Sequence, residues 1–163
     1  MKTLRVVWRA LALPADESRQ VIKAAVALTS AKLAIRFLPF TKAVERGSVP
    51  LAKAPRDDAR IIDEWVRAVR RAAYSVPWRS VCFDQGLALQ RLLRSRGVAA
   101  VLCYGGSQDG SSLKAHVWVK VGDRVIIGEE EMRGHHLLAC YPTPEPSRPK
   151  RARPSRRSAR SRA

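Results

Sequence analysis

The chain is short of cysteine, of acid relative to base, of aromatics and of long hydrophobic runs, and each shortage closes a class of explanation. Its three cysteines, Cys82, Cys103 and Cys140, are odd in number and at no framework-like spacing. That argues against a secreted disulfide scaffold and makes reduced thiols the expectation. No Cys-x-x-Cys pair occurs, so neither a structural zinc site nor any other cofactor is expected. The charge-free run Ala24 to Ala31 falls far short of the ~20 residues that span a bilayer. Arg9 interrupts Val6-Val7-Trp8-Arg9-Ala10-Leu11 where a signal peptide needs an unbroken apolar stretch. A cytoplasmic protein with no membrane span is the resulting expectation. Asp and Glu number 14 against 31 Lys and Arg, a net charge of +17, and eight of those basic residues sit in Pro142 to Ala163 beside Glu145 alone. Such a tail attracts phosphates in a salt-dependent way. With three Phe, three Tyr and no aromatic-basic interleaving to read a groove, nucleic acid is not the expected partner. A basic interaction protein that binds nucleic acid is the alternative class.

What is present is enough for one packed core in 163 residues. After Pro14, Ile22, Val26, Thr29, Leu33 and Phe37 recur at three- and four-residue steps with Asp16 and Glu17 at the helix start. This face is expected to pack on the core, the other reading being a partner- or membrane-surface helix. Pro39 stops it, and Phe40 to Arg56, with Gly47, Pro50 and Pro55, reads as a loop. Asp57-Asp58 opens a second helix with Ile61, Ile62, Trp65, Val66, Val69, Ala72 and Ala73 on one face, ended by Pro77. Ser80 is the candidate cap of a third, which carries Leu87, Ala88, Leu92 and Leu93 and is closed by Gly97.

The period then changes to two. Val98 to Tyr104, Leu113 to Val121 and Arg124 to Ile127 read as strands, with Gly105-Gly106 and Asp109 to Ser112 as turn material and Gly122-Asp123 as a two-residue hairpin turn. Helices followed by an antiparallel sheet make an α+β domain. Residues 1–56 form a helical segment and loop, 57–141 the core, and 142–163 a disordered basic tail. No internal repeat occurs.

Cys82 falls in the first turn of its helix, where unpaired N–H groups and the dipole stabilise an anion, the place for a thiolate nucleophile. A buried packing cysteine is the plainer reading. His116 lies on a strand, on the face it shares with Trp118, and an imidazole there is suited to take the Cys82 proton. From the turn, Val121 pairs with Arg124, Lys120 with Val125, Trp118 with Ile127 and His116 with Glu129. Glu129 is then placed to hold the imidazole as the acid of a triad does. A bulge at Gly128 would substitute Glu130 or Glu131, and a solvated acidic turn is the structural alternative. His135 and His136 read as loop or packing residues. Trp78-Arg79 either shapes a cleft or plugs the core, and Asp84 and Gln85 are ordinary first-turn residues.

The stretch Val76 to Gln90, which includes Pro77-Trp78-Arg79-Ser80-Val81-Cys82-Phe83-Asp84-Gln85-Gly86, followed by Ala115-His116-Val117-Trp118-Val119 and Gly122-Asp123-Arg124-Val125-Ile126-Ile127-Gly128, resembles the leader peptidases of lasso-peptide biosynthesis. These are stand-alone transglutaminase-like, papain-like cysteine proteases of the split type. The resemblance implies removal of the leader from a ribosomally made precursor peptide, with Cys82 as nucleophile and His116 as base. It also implies two partners, a small leader-recognition protein and the lasso cyclase that closes the macrolactam. Family members place an Asp shortly after the strand that follows the His. Here that neighbourhood reads Gly128-Glu129-Glu130-Glu131, so either Glu129 substitutes or the triad is incomplete.

Overall fold

A computed structural model describes residues 14–48, 50–51, 57–109 and 112–143. The expectations for the extreme N-terminus and for the tail beyond 143 lie outside these residues. Helix α1 (Ala15–Phe37) follows Pro14, with Asp16 and Glu17 in its first turn and Arg36 in its last, as the dipole favours. Its buried face is Val21, Ala24, Leu28 and Ala31. The expected core stripe of Ile22, Val26, Leu33 and Phe37 is the outward one instead, a correction with a steric cause. This alanine-rich helix is apolar on two sides, and the side with small residues lets neighbouring helices approach closely.

Leu38 is extended ahead of Pro39, as the residue before a proline prefers. The expected loop from Phe40 is in fact a short helix, α2 (Phe40–Gly47), because Pro39 that stops one helix has the fixed φ that starts the next. Phe40 meets Phe83 and Tyr104 edge to face, with ring centroids 5.1 and 4.9 Å away. Helix α3 (Ala59–Ser75) begins as its sequence indicates, with the Asp58 carboxylate accepting from the Arg60 and Ile61 amides at 3.1 and 3.3 Å. It buries Ile62, Trp65, Ala68, Val69 and Ala72. Helix α4 (Cys82–Arg94) is the most buried, and α1 packs on both α3 and α4.

The sheet has four antiparallel strands rather than three, β1 (Ala100–Asp109), β2 (Ser112–Val121), β3 (Arg124–Ile127) and β4 (His136–Tyr141), in the order β3-β2-β1-β4. A one-turn helix, α5 (Glu129–Met132), connects β3 to β4. Gly105 and Gly106, expected in a turn, lie inside β1. Their smallness serves a close approach, since a Cβ on Gly105 would sit 2.5 Å from the His136 carbonyl oxygen. Strand β4 brings Cys140 opposite Cys103, and the two form a disulfide, which corrects the expectation of three reduced thiols. Because β4 carries no alternating pattern, nothing in the spacing of the cysteines announced the pairing.

The helices cover one face of the sheet around Leu28, Ile62, Leu89, Leu93, Leu102 and Val119. Arg94, mostly buried, donates to the Ala100 carbonyl at 3.2 Å, and burial lowers its pKa. Helix α4 lies against β2 at Gly86, where a Cβ would be 2.8 Å from Val117 Cγ1. Substitution Gly86→Val should therefore destabilise the protein by about 1–3 kcal/mol through overpacking, measured as a lower urea midpoint. An unchanged midpoint would show that α4 has room to move. Among the described residues no helix is long and apolar enough to cross a membrane.

Candidate functional site

The start of α4 is fastened before any chemistry is considered. Ser80, the expected cap, has its Oγ buried without a partner, and Val81 occupies the N-cap position instead. The carboxylate of Asp84, 2% exposed, reaches back to accept from the Val81 amide at 3.2 Å. Lys32 of α1 lies 3.5 Å from the same carboxylate and donates to the Arg79 carbonyl at 3.3 Å. One acid thus ties the turn ahead of Cys82 to both its own helix and α1, a role its sequence position did not reveal. Substitution Asp84→Ala removes an acceptor from a buried amide and should cost about 1–3 kcal/mol. Asp84→Asn keeps an acceptor and should recover part of that loss, and equal urea midpoints for the two variants would refute the fastening role.

Cys82 is the first residue of α4 and the free cysteine, half-buried at the helix end where backbone amides have no intrahelical acceptor. Because α4 rests on β2, the cysteine and His116 line the same cavity, of about 770 Å³. Trp78, Arg79 and Gln85 also line it, as do Arg70 and Tyr74 of α3, which the sequence pattern had not singled out. The Trp78 indole Nε1 is buried without a hydrogen-bond partner.

His116 is 7% exposed on β2, and its ring stacks on Trp118 with centroids 6.3 Å apart. Its Nε2 lies 3.1 Å from the Gly128 carbonyl oxygen. A carbonyl only accepts, so this contact places the proton on Nε2 and leaves the Nδ1 lone pair as the basic site. Gly128 makes the contact possible: its φ is +83°, and a Cβ there would stand 2.9 Å from His116 Nε2 and 2.7 Å from the Val117 carbonyl oxygen.

The hairpin follows the expected register for Val121–Arg124 and Lys120–Val125, then slips. Val119, not Trp118, takes Ile127, because a bulge opposite the Val119–Lys120 step leaves Ile126 as an extra residue on the β3 side of the ladder. The strand pairing expected to set Glu129 opposite His116 is thereby lost. Glu129 begins α5 and lines the cavity with Glu130 and Glu131. Of these, Glu131 places a carboxylate oxygen 3.8 Å from His116 Nε2, a contact that becomes an ion pair when the ring is protonated. His135 lies with its ring centroid 5.6 Å from that of His116, and His136 is exposed on β4. Among the described residues no group of three or more His, Cys, Asp or Glu is arranged to hold a metal ion.

A helix-terminal thiol, an imidazole with a free nitrogen and a nearby acid are the parts needed for nucleophilic attack on a carbonyl. The amide of Cys82 is a natural donor to the resulting oxyanion. No curated protein and no solved structure matches the chain. Residues 25–138 match a family described as the transglutaminase-like superfamily.

Proposed function

The chain belongs to the transglutaminase-like superfamily, and from that premise we propose that it is a cysteine peptidase that removes the leader from a ribosomally made lasso-peptide precursor, acting with a separate leader-recognition protein. The observation that carries the reading is the meeting of Cys82 at the start of α4 and His116 on β2 in one cavity, with Nε2 of the imidazole engaged by a backbone carbonyl. The motif around Cys82 and His116 supports the finer assignment to leader peptidases through its resemblance to that family.

In this reading His116 Nδ1 takes the Cys82 proton, and the thiolate adds to the carbonyl carbon at the leader–core junction. The oxyanion is held by the Cys82 amide. Collapse breaks the C–N bond, His116 returns the proton to the departing amine of the core, and the leader remains as a thioester. Water, deprotonated by His116, then releases the leader as a carboxylic acid and restores the thiol. The acidic partner of the imidazolium is drawn from the turn after β3, and the 3.8 Å approach of Glu131 favours it over Glu129.

The test is cleavage of a purified precursor peptide in the presence of its recognition protein, read by mass spectrometry for leader and core. Glu131→Gln is expected to lower the single-turnover rate by about ten- to a hundredfold, less than the roughly 10²–10⁴-fold that a general base itself supplies. Glu129→Gln is expected to change it less than threefold. The reverse order would return the role to Glu129, and absence of any cleavage by the wild type would remove the peptidase assignment.

A further inference from the structure

The outward ridge of α1 is an exposed apolar feature outside the Cys82 cavity. Ile22, Val26, Leu33 and Phe37 are 57, 64, 52 and 73% exposed. With Thr29 between them they follow four- and three-residue steps, the seam along which a second helix packs. Beside this ridge runs a groove between α1 and α4, closed by α3 at one end and by α2 at the other. One end, about 510 Å³, lies between Val26, Trp65 and Leu92, and the other, about 360 Å³, between Leu33, Phe37 and Leu87. Ala27, Ser30 and Arg91 line both ends and make them continuous.

Every charged side chain lining the groove is a cation, namely Lys23, Arg46, Arg91 and Arg96. Two of them are held in place, Arg91 by donating to Ser30 Oγ at 3.0 Å and Arg96 by lying 5.4 Å over the Trp65 ring. We propose that this groove seats an acidic amphipathic helix of a separate partner protein. The apolar side of that helix would meet the ridge and its carboxylates the four cations, the helix-in-groove mode of recognition.

Charge selects this occupant over the others. A second copy brings a net +17 chain to a cationic groove. The chain's own first 13 residues carry Lys2, Arg5 and Arg9 and no acid, so they meet the same repulsion. An anionic bilayer satisfies the cations, but a plane resting on the ridge leaves a groove sunk among the helices unfilled. The groove shares no lining residue with the Cys82 cavity, so the inference stands independently of the proteolytic reading.

Three fluorescein-labelled synthetic peptides test it against the full-length protein by anisotropy: a Leu/Glu heptad helix, a scrambled peptide of the same composition, and a Leu/Lys heptad helix. The Leu/Glu helix is expected to bind at least tenfold tighter than either control. Leu33→Glu should weaken that binding at least tenfold, and Arg46→Glu with Arg91→Glu should reverse the preference toward Leu/Lys. Thermal melts of the variants check that the loss is not unfolding, since these side chains lie on the surface or at the groove. Equal affinity for the scrambled peptide overturns the proposal. So does Leu33-dependent binding to phosphatidylserine vesicles without peptide preference, or Leu33-dependent dimerisation in sedimentation velocity.

Discussion

In the His116→Ala protein, cleavage of the precursor should fall by roughly a thousandfold or more, close to the level of Cys82→Ala, because the two groups act as one unit and their losses do not add. Alkylation of Cys82 by iodoacetamide at neutral pH should slow as well, which needs no substrate to observe. With Cys103 and Cys140 joined, Cys82 is the thiol available to the reagent in the unreduced protein, so mass spectrometry reads a single site. The Gly128 carbonyl engages Nε2, which leaves the Nδ1 lone pair free, and the ring and the thiol line one cavity. If alkylation is unchanged in His116→Ala, the imidazole does not act on the thiol, and His116 reverts to a buried structural histidine on a strand.

The second large effect is expected at Gly128. Gly128→Ala should lower stability by about 1–3 kcal/mol for the left-handed backbone alone and should also displace the His116 ring, since the new methyl would lie 2.9 Å from Nε2. Gly122→Ala is the matched comparison. Its φ of +57° imposes the same kind of backbone strain, yet nothing lies within 4 Å of its Cβ. Gly122→Ala should therefore lose only the stability due to backbone strain, less than Gly128→Ala with its added clash, while keeping its rates of cleavage and Cys82 alkylation, whereas Gly128→Ala loses both. Urea denaturation and alkylation rates on the two variants separate strain from displacement. Parallel behaviour in the two would mean that the Gly128 contact does not govern the position of the base.

The parts of this fold that the sequence announced are those with a strong local cause. Asp58 caps α3 through its own side chain, and Gly122-Asp123 turns the hairpin so that the first two residue pairs are in the expected register. Cys82 stands in the first turn of α4 as expected from a cap at Ser80, although the cap is one residue later, at Val81. What was hidden depended on neighbours far along the chain. The outward face of α1 is apolar enough to pass for the core, and only the packing of α3 and α4 on Ala24 and Ala31 decides between the two faces. The slip beside Val119 comes after a turn that is correct, so no turn chemistry reports it, yet it moves the acid facing His116 from Glu129 toward Glu131. Strand β4 is short, exposed over half its length and without alternation, which concealed both the fourth strand and the partner of Cys103.

The disulfide divides the site by covalent topology. Cys103 and Cys140 are 37 residues apart in sequence, and the ring of chain they close contains His116, Gly128, the three glutamates and His135, while Cys82 and its helix stand outside it. In an unfolded chain such a ring forfeits loop freedom worth about 4 kcal/mol in the chain-entropy description. The covalent constraint lies wholly on the half that carries the base. The nucleophile is held by helix packing and one buried carboxylate, the base by a closed loop of backbone, so a reductant reaches the positioning of the imidazole without opening any bond on the thiol's side of the cavity.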